Sequence, residues 1–332
     1  MSQSAPVTYI EALRRGLARA LTEDPRVVLL GEDIGAYGGA FKLTAGFLER
    51  FGPARVVDTP IVETGLIGAA IGAAMAGLRP VVEIQFIDFI SCAFNQLTNF
   101  AATCRFRWQT GVPIVVRGPS GGAVHAGPFH SQNVESFFLN TPGLKMVVPS
   151  TPSDAYRMIL GAIQDPDPVL FFEQKALYRT LKEPLDESAE PLPPGRAAVR
   201  RPGSTLTIVS YGAMVHRALA AAEQLAQETV SGRRVDCEVL DLRSLSPMDG
   251  EAILDSVKRT GKVLVVHEDN LTGGAGAEIA SRIAEHAFEH LDGPVRRLAA
   301  ADLPIPYAGP LEDAVLPNAQ SIAAAARELA AY

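Results

Sequence analysis

Cysteine is scarce: 3 of 332 residues. Cys92, Cys104 and Cys237 show no paired spacing with histidines downstream, so a structural zinc site has no support. An odd, sparse set fits reduced thiols better than a disulfide frame. A membrane span is also missing. The longest apolar stretch, Gly65–Leu78, falls short of the ~20 residues such a helix needs. The N-terminus has no basic-then-apolar signal pattern, and Met1–Val7 reads as a short arm. Together these set the expectation of a cytoplasmic chain away from membranes. A basic excess is lacking too. Lys+Arg is 30 against Asp+Glu 37, a net charge of −7, which argues against a broad nucleic-acid footprint. There is no Gly-x-x-x-x-Gly-Lys-Ser/Thr phosphate loop and no Gly-x-Ser-x-Gly nucleophile turn. Gly274-Ala275-Gly276 starts a dinucleotide fingerprint, but Ile279 stands where its third small residue belongs. A nicotinamide dehydrogenase is therefore a competing reading with a partial motif, separable by an NADH-binding titration.

What the chain does have is 47% hydrophobic and 20% charged residues, with 29 Gly and 24 Pro, the profile of a soluble α/β enzyme. Its length suits about two domains, each with its own core. A capping box at Thr8 and Glu11 predicts a helix over 8–22. Apolar strands follow at 26–30, 81–86, 112–116, 145–148 and 169–172. Helices are expected at 63–76, 91–106 and from Pro152 to about Gln164, with Thr151 as N-cap. Glu183–Gly203 reads as a linker rich in Pro and charge. Strands at 206–210, 236–240, 262–266 and 295–298 then alternate with helices at 215–227, 249–259, 275–288 and 321–331. Strands apolar on both faces predict parallel sheets covered by helices, so two doubly wound α/β domains, 1–182 and 204–332, are expected around the 183–203 linker. Val27–Asp33 and Val263–Asp269 echo each other as apolar strands ending in Glu-Asp.

Ligands of such sheets sit beyond the carboxyl ends of the strands. Glu32 and the Gln85–Phe89 loop lie at such ends. Glu63 opens a helix with Gly65, Gly68 and Gly72 on nearby turns. Each interior glycine costs about 1 kcal/mol, which suggests that something approaches this helix closely. Glu63 reads as an acid stabilised by a helix N-terminus, or as a carboxyl whose pKa is raised by burial so that it shares a proton with a ring nitrogen. His130 sits in a Gly/Pro-rich loop and titrates near neutrality, which suits proton transfer. His125 is a second candidate nearby. His216, His286 and His290 fall on expected helices, and His267 ends a strand.

These segments together resemble the β subunit of the E1 component of 2-oxoacid dehydrogenase complexes, the family of pyruvate, branched-chain 2-oxoacid and acetoin dehydrogenases. The matching stretches are LGEDIG (30–35), DTPIVETG (58–65), AAMAGLRPVVEIQFIDF (73–89), VPIVVRGPSGG (112–122), FHSQ (129–132), TPGLKMVVPSTPSDA (141–155), DLRSLSPMD (241–249) and Pro304-Ile305-Pro306-Tyr307. The resemblance implies a pyrimidine-binding domain followed by a transketolase C-terminal domain. It implies thiamine diphosphate, with Glu63 hydrogen-bonded to N1′ of the aminopyrimidine, Phe89 packed on that ring, and Glu32, Ile61, Val62 and Gln85 lining the pocket. His130 matches the histidine that serves acyl transfer to lipoamide. Ile114, Ala162, Asp165 and Asp167 align with a monovalent-cation (K⁺) site in some relatives. The chain lacks the Gly-Asp-Gly that holds Mg²⁺ in such enzymes. The resemblance thus implies a partner α subunit holding the Mg²⁺ and diphosphate, an α2β2 heterotetramer, and docking to an E2 acyltransferase. A non-catalytic scaffold subunit and an acetoin dehydrogenase β subunit are the alternatives. Phe89 and Ser91-Cys92-Ala93-Phe94 lean toward pyruvate or acetoin as substrate, and Glu83-Ile84-Gln85-Phe86 leans toward branched chains.

Overall fold

Val27–Gly31 is a strand with side chains buried on both faces, and a strand of that kind needs helices above and below it. It lies in a parallel sheet in a computed structural model that describes residues 5–332. The chain forms two compact units. One comprises residues up to Ser120 together with Phe137–Pro194, and the other comprises Gly121–Ser136 together with Gly195–Tyr332.

In the first unit the strand order is Lys145–Val147, Val169–Gln174, Val115–Ser120, Arg79–Glu83, Val27–Gly31, Val56–Asp58, and every pairing is parallel. Helix Tyr9–Glu23 packs against helix Pro152–Gln164. The contact is close at Gly16, where an added Cβ would stand 2.6 Å from Ile159 Cγ2. Both helices start at the expected caps. Thr151 accepts from the Asp154 N–H at 3.1 Å, and Thr8 accepts from the Glu11 N–H at 3.3 Å. The Glu11 carboxylate meets Arg15 Nε at 2.9 Å, so the box at Thr8 is satisfied through its threonine half. The expected arm is instead partly strand: Pro6–Thr8 pairs antiparallel with Lys182–Pro184, while residues 1–4 lie outside the described residues.

The helix expected at 91–106 is a broken series. A 3₁₀ segment Ile87–Ala93 is followed by a π turn Gln96–Phe100, a 3₁₀ turn Ala101–Thr103 and one α turn Cys104–Trp108. Thr98 and Thr103 hydroxyls donate back to the carbonyls of Phe94 and Asn99, each at 2.9 Å, competing with a regular ladder.

The second unit holds a five-stranded sheet in the order Arg296–Ala300, Val263–Asn270, Leu206–Ser210, Cys237–Asp241, Ala198–Arg201. All pairings are parallel except that of Ala198–Arg201, which runs antiparallel to Cys237–Asp241. Helices Met214–Leu225, Gly250–Thr260, Ala275–His286 and Ala319–Ala330 pack on this sheet. Gly274 and Gly276 explain the partial dinucleotide fingerprint. A Cβ on either would stand 2.5–2.6 Å from the His267 ring, so these positions admit a buried imidazole rather than a pyrophosphate.

Candidate active site

The strands Val56–Asp58, Val27–Gly31 and Arg79–Glu83 are neighbours, and Gly31 pairs in register with both Asp58 and Glu83. Their carboxyl ends therefore reach the same edge of the sheet together. The segments that follow are Glu32 after Val27–Gly31, Ile61-Val62-Glu63 after Val56–Asp58 and Gln85–Phe89 after Arg79–Glu83. Topology alone brings six of the expected site residues to one place. A side chain at Gly31 would meet Glu83 Cβ and its carbonyl at 3.0 Å, so glycine lets the strand ends close up. The Thr59 N–H donates to the Gly31 carbonyl at 2.9 Å, and the Gly35 N–H donates to Asp58 Oδ1 at 2.6 Å. These bonds fix the loop that follows Glu32 against the segment that leads to Glu63.

Glu63 opens the helix Glu63–Met75 and is half-buried. Before it, Ile61 is 78% exposed and Val62 47%, large apolar side chains left open beside a carboxylate. The next residue, Thr64, donates from Oγ1 to the Cys92 carbonyl at 2.5 Å, tying the helix start to the 3₁₀ segment that carries Phe89. Phe89 and Gln85 are half-buried. The deep burial anticipated for Glu63 is found at Glu32, which is 7% exposed and whose Oε1 has no hydrogen-bond partner. Burial raises the Glu32 carboxyl above the usual range, and the charges of Glu63, Asp33 and Glu83 push it further the same way. Among the acids at this edge, Glu32 therefore holds its proton more firmly than an ordinary glutamate.

Beneath it lies a charged cluster that periodicity does not reveal. Arg117 binds Glu83 on one side and Glu173 on the other, with Nη2 2.7 Å from Glu173 Oε2. Tyr178 donates its hydroxyl to Glu173 at 2.5 Å. Burial raises the Glu83 carboxyl, and the guanidinium opposes that rise. The signal was one charge in each of three apolar strands: Glu83, Arg117 and Glu173.

His130 lies just after the 3₁₀ turn Gly127–Phe129, half-buried, with its N–H donating to the Gly127 carbonyl at 3.2 Å. It belongs to the 121–136 segment of the second unit. His125 bonds Glu312 through Nδ1 at 2.7 Å. His286 is exposed, and His267 is buried and stacked on Tyr211, with ring centroids 6.2 Å apart. The Ile114 carbonyl accepts from the Val169 N–H, and that of Ala162 from the Asp165 N–H. The Asp165 carboxylate takes both oxygens to Lys145 Nζ at 2.7 Å, and Asp167 meets Arg105 Nε at 2.5 Å.

Two family models cover the chain. The transketolase pyrimidine binding domain matches residues 5–180, and the transketolase C-terminal domain matches residues 195–322. A solved structure described as a split gene transketolase, inactive beta4 tetramer, superposes with a TM-score of 0.79 over 98% of both chains at 22% identity, a likeness of fold. The architecture is thus that of a transketolase-type pair of α/β domains. Among sequence relatives, 2-oxoisovalerate dehydrogenase subunit beta of Bacillus subtilis is 46% identical over 98% of this chain and 99% of its own. The pyruvate dehydrogenase E1 component subunit beta of Rickettsia conorii is 41% identical over the same shares. The chain belongs to the family of 2-oxoacid dehydrogenase E1 beta subunits.

Proposed function

We propose that the chain is the β half of a thiamine-diphosphate-dependent E1 enzyme, which decarboxylates a 2-oxoacid oxidatively and passes the acyl group to the lipoyl group of an E2 acyltransferase. The observation that supports this reading is that Glu32, Ile61-Val62-Glu63 and Gln85–Phe89 all follow neighbouring strands whose ends are in register, with the Glu32 carboxyl raised by burial and by the nearby Glu63 charge. A flat heteroaromatic ring with basic nitrogens fits there: apolar side chains for its faces, and a carboxyl for its edge. When bound, thiamine diphosphate supplies the nucleophilic carbon and the electron sink for loss of CO₂. With that group bound, Glu63 would face the ring nitrogen, Phe89 would pack on the ring, and Gln85 with Glu32 would complete the wall. His130 moves a proton during acyl handover.

The diphosphate and its Mg²⁺ fall to a partner α subunit, because this chain has no Gly-Asp-Gly. Exposed Ile61, Val62, Met75 and Leu78 give that partner an apolar surface on and around the glycine-rich helix. A bound K⁺ would draw on the carbonyl oxygens near Ile114, Ala162, Asp165 and Asp167, since the two carboxylates already have cationic partners. No helix among the described residues is long and apolar enough to cross a membrane, and the proposed location is the cytoplasm. The 46% identity to the 2-oxoisovalerate subunit, against 41% to the pyruvate one, favours a branched acyl chain.

The test is reconstitution with the α chain and assay with pyruvate, 2-oxoisovalerate and acetoin. Glu63→Gln should fold and assemble normally yet lose turnover by about 10²-fold or more, the usual scale for a lost acid–base group. Retained turnover would overturn the role given to Glu63, and assembly without thiamine-diphosphate dependence would leave a scaffold subunit.

A further inference from the structure

The 121–136 segment is fastened at both ends by acids. The Gly122 N–H donates to Glu268 Oε1 at 2.5 Å, and Asn133 Nδ2 donates to the same oxygen at 3.2 Å. Ser136 Oγ donates to Asp269 Oδ2. Glu268 and Asp269 close the strand Val263–Asn270. The segment contributes an acid of its own, Glu135, which is 1% exposed. Its Oε1 accepts from the Tyr211 hydroxyl at 2.8 Å, while its Oε2 is buried with no hydrogen-bond partner. The charged groups that act on Glu135 are Asp269 and Glu268, both acidic.

The surrounding elements offer little to neutralise this group. His267, on the same strand, is held neutral by burial. Arg297 on the adjacent strand acts on His267 and donates to the Leu271 carbonyl at 2.9 Å. Glu312, on helix Gly309–Val315, is engaged by His125. Two buried carboxyls without a cation between them cannot both ionise.

We infer that Glu135, buried with one oxygen unpartnered, keeps a proton in the folded chain and that this proton, together with the Ser136–Asp269 bond beside it, clamps the 121–136 segment onto the second unit, which makes Glu135 and Asp269 positioning residues for His130. The inference rests on the reading of His130 as an active-site residue. Burial pushes the Glu135 carboxyl up to about 8, and the Asp269 charge adds to the rise. A carboxyl raised by folding gives stability that is whole below the ordinary carboxyl range and is lost as pH climbs through the folded value. Closure should therefore weaken from acid toward pH ~8 and then level off.

Hydrogen exchange of the 121–136 amides in the assembled αβ enzyme, corrected for intrinsic rate, tests this. In the wild type the open fraction should rise by up to about tenfold per pH unit between pH 6 and 8, then flatten. Glu135→Gln, which carries the neutral shape permanently, should show a flat profile with low opening. Glu135→Ala should be flat with high opening. Asp269→Asn should bring the plateau to lower pH. A wild-type slope retained in Glu135→Gln, or a flat wild-type profile, would overturn the clamp. The same samples assayed for acyl transfer to a lipoyl acceptor separate the two readings. A clamp that titrates without any matching break in kcat would remove His130 from the chemistry, whereas a clamp that does not titrate would fail by itself.

Discussion

Glu83 and Arg117 pair in register across two parallel strands, and their side chains form an ion pair closed off from solvent. The strand that presents Gln85 and Phe89 is thereby tied to its neighbour just below the site. Glu173 takes the other side of the guanidinium, so one cation serves two carboxylates.

Removing that cation strands both acids. Arg117→Leu should destabilise the chain by about 3–5 kcal/mol, the scale for an uncompensated buried charge. Denaturant unfolding at two pH values gives the check. The loss should be smaller at pH 5 than at pH 8, because carboxyls freed of the guanidinium take up protons as pH falls. Equal losses at both would mean that the acids are not charged in the folded chain.

A second prediction concerns the helix after Glu63. A Cβ at Gly68 or Gly72 would touch nothing within 4 Å, so these glycines are not demanded by packing within this chain. Gly68→Leu should leave the chain's own stability intact, or raise it by up to about 1 kcal/mol through helix propensity. Assembly with the α subunit should fail, as read by sedimentation of the mixed chains. Normal assembly with that subunit would mean that the face is not covered closely.

The site edge was legible because it follows from strand order. Two of the strands, VVLLG and the one carrying VVE, were expected as apolar runs, and Glu32 and the Gln85–Phe89 loop follow them in the string, whereas the three-residue strand Val56–Asp58 that leads to Glu63 was not expected. The helix boundaries at Thr8 and Thr151 were equally plain, since the capping hydroxyls lie where the backbone needs them. The echo between VVLLGED and VLVVHED also has a physical basis: Glu32 and Glu268 are both buried carboxyls at strand ends. Other features were hidden. The Glu83–Arg117–Glu173 cluster depends on register between strands far apart in sequence, which local periodicity does not encode. The attachment of 121–136 to the second unit rests on Asn133 and Ser136 bonded to Glu268 and Asp269 and on Glu135 bonded to Tyr211, contacts that are likewise long-range. The 91–106 stretch misled because its composition reads as helical while its threonine hydroxyls compete for the backbone carbonyls.

Glu32 carries a pH signature distinct from that of its neighbours. Its carboxyl is raised, first by burial and then by the charges of Glu63, Asp33 and Glu83. The stability it contributes is therefore complete below the ordinary carboxyl range and falls as pH rises through the folded value. Glu32→Gln has no proton to lose. Thermal unfolding across pH should show a gap that widens in favour of the glutamine variant as pH increases. A gap independent of pH would place Glu32 in a solvated, ordinary setting.

His267 titrates in the opposite sense. Burial pushes its imidazole down to about 4; a backbone contact from Asp269 pulls it up, and the Arg297 charge lowers it further. A base depressed by folding stabilises above its ordinary value near 6.5 and loses that stability as pH falls toward 4, on the order of 3 kcal/mol in all. His267→Phe keeps a ring to stack on Tyr211 and cannot be protonated. Other carboxyls also titrate in this window, so the informative quantity is the difference between the two proteins at each pH. That difference should grow in favour of the phenylalanine variant between pH 6.5 and 4. Parallel acid denaturation curves would show instead that the imidazole is protonated without cost, and that the ring is not enclosed by Gly274 and Gly276 as the structure has it.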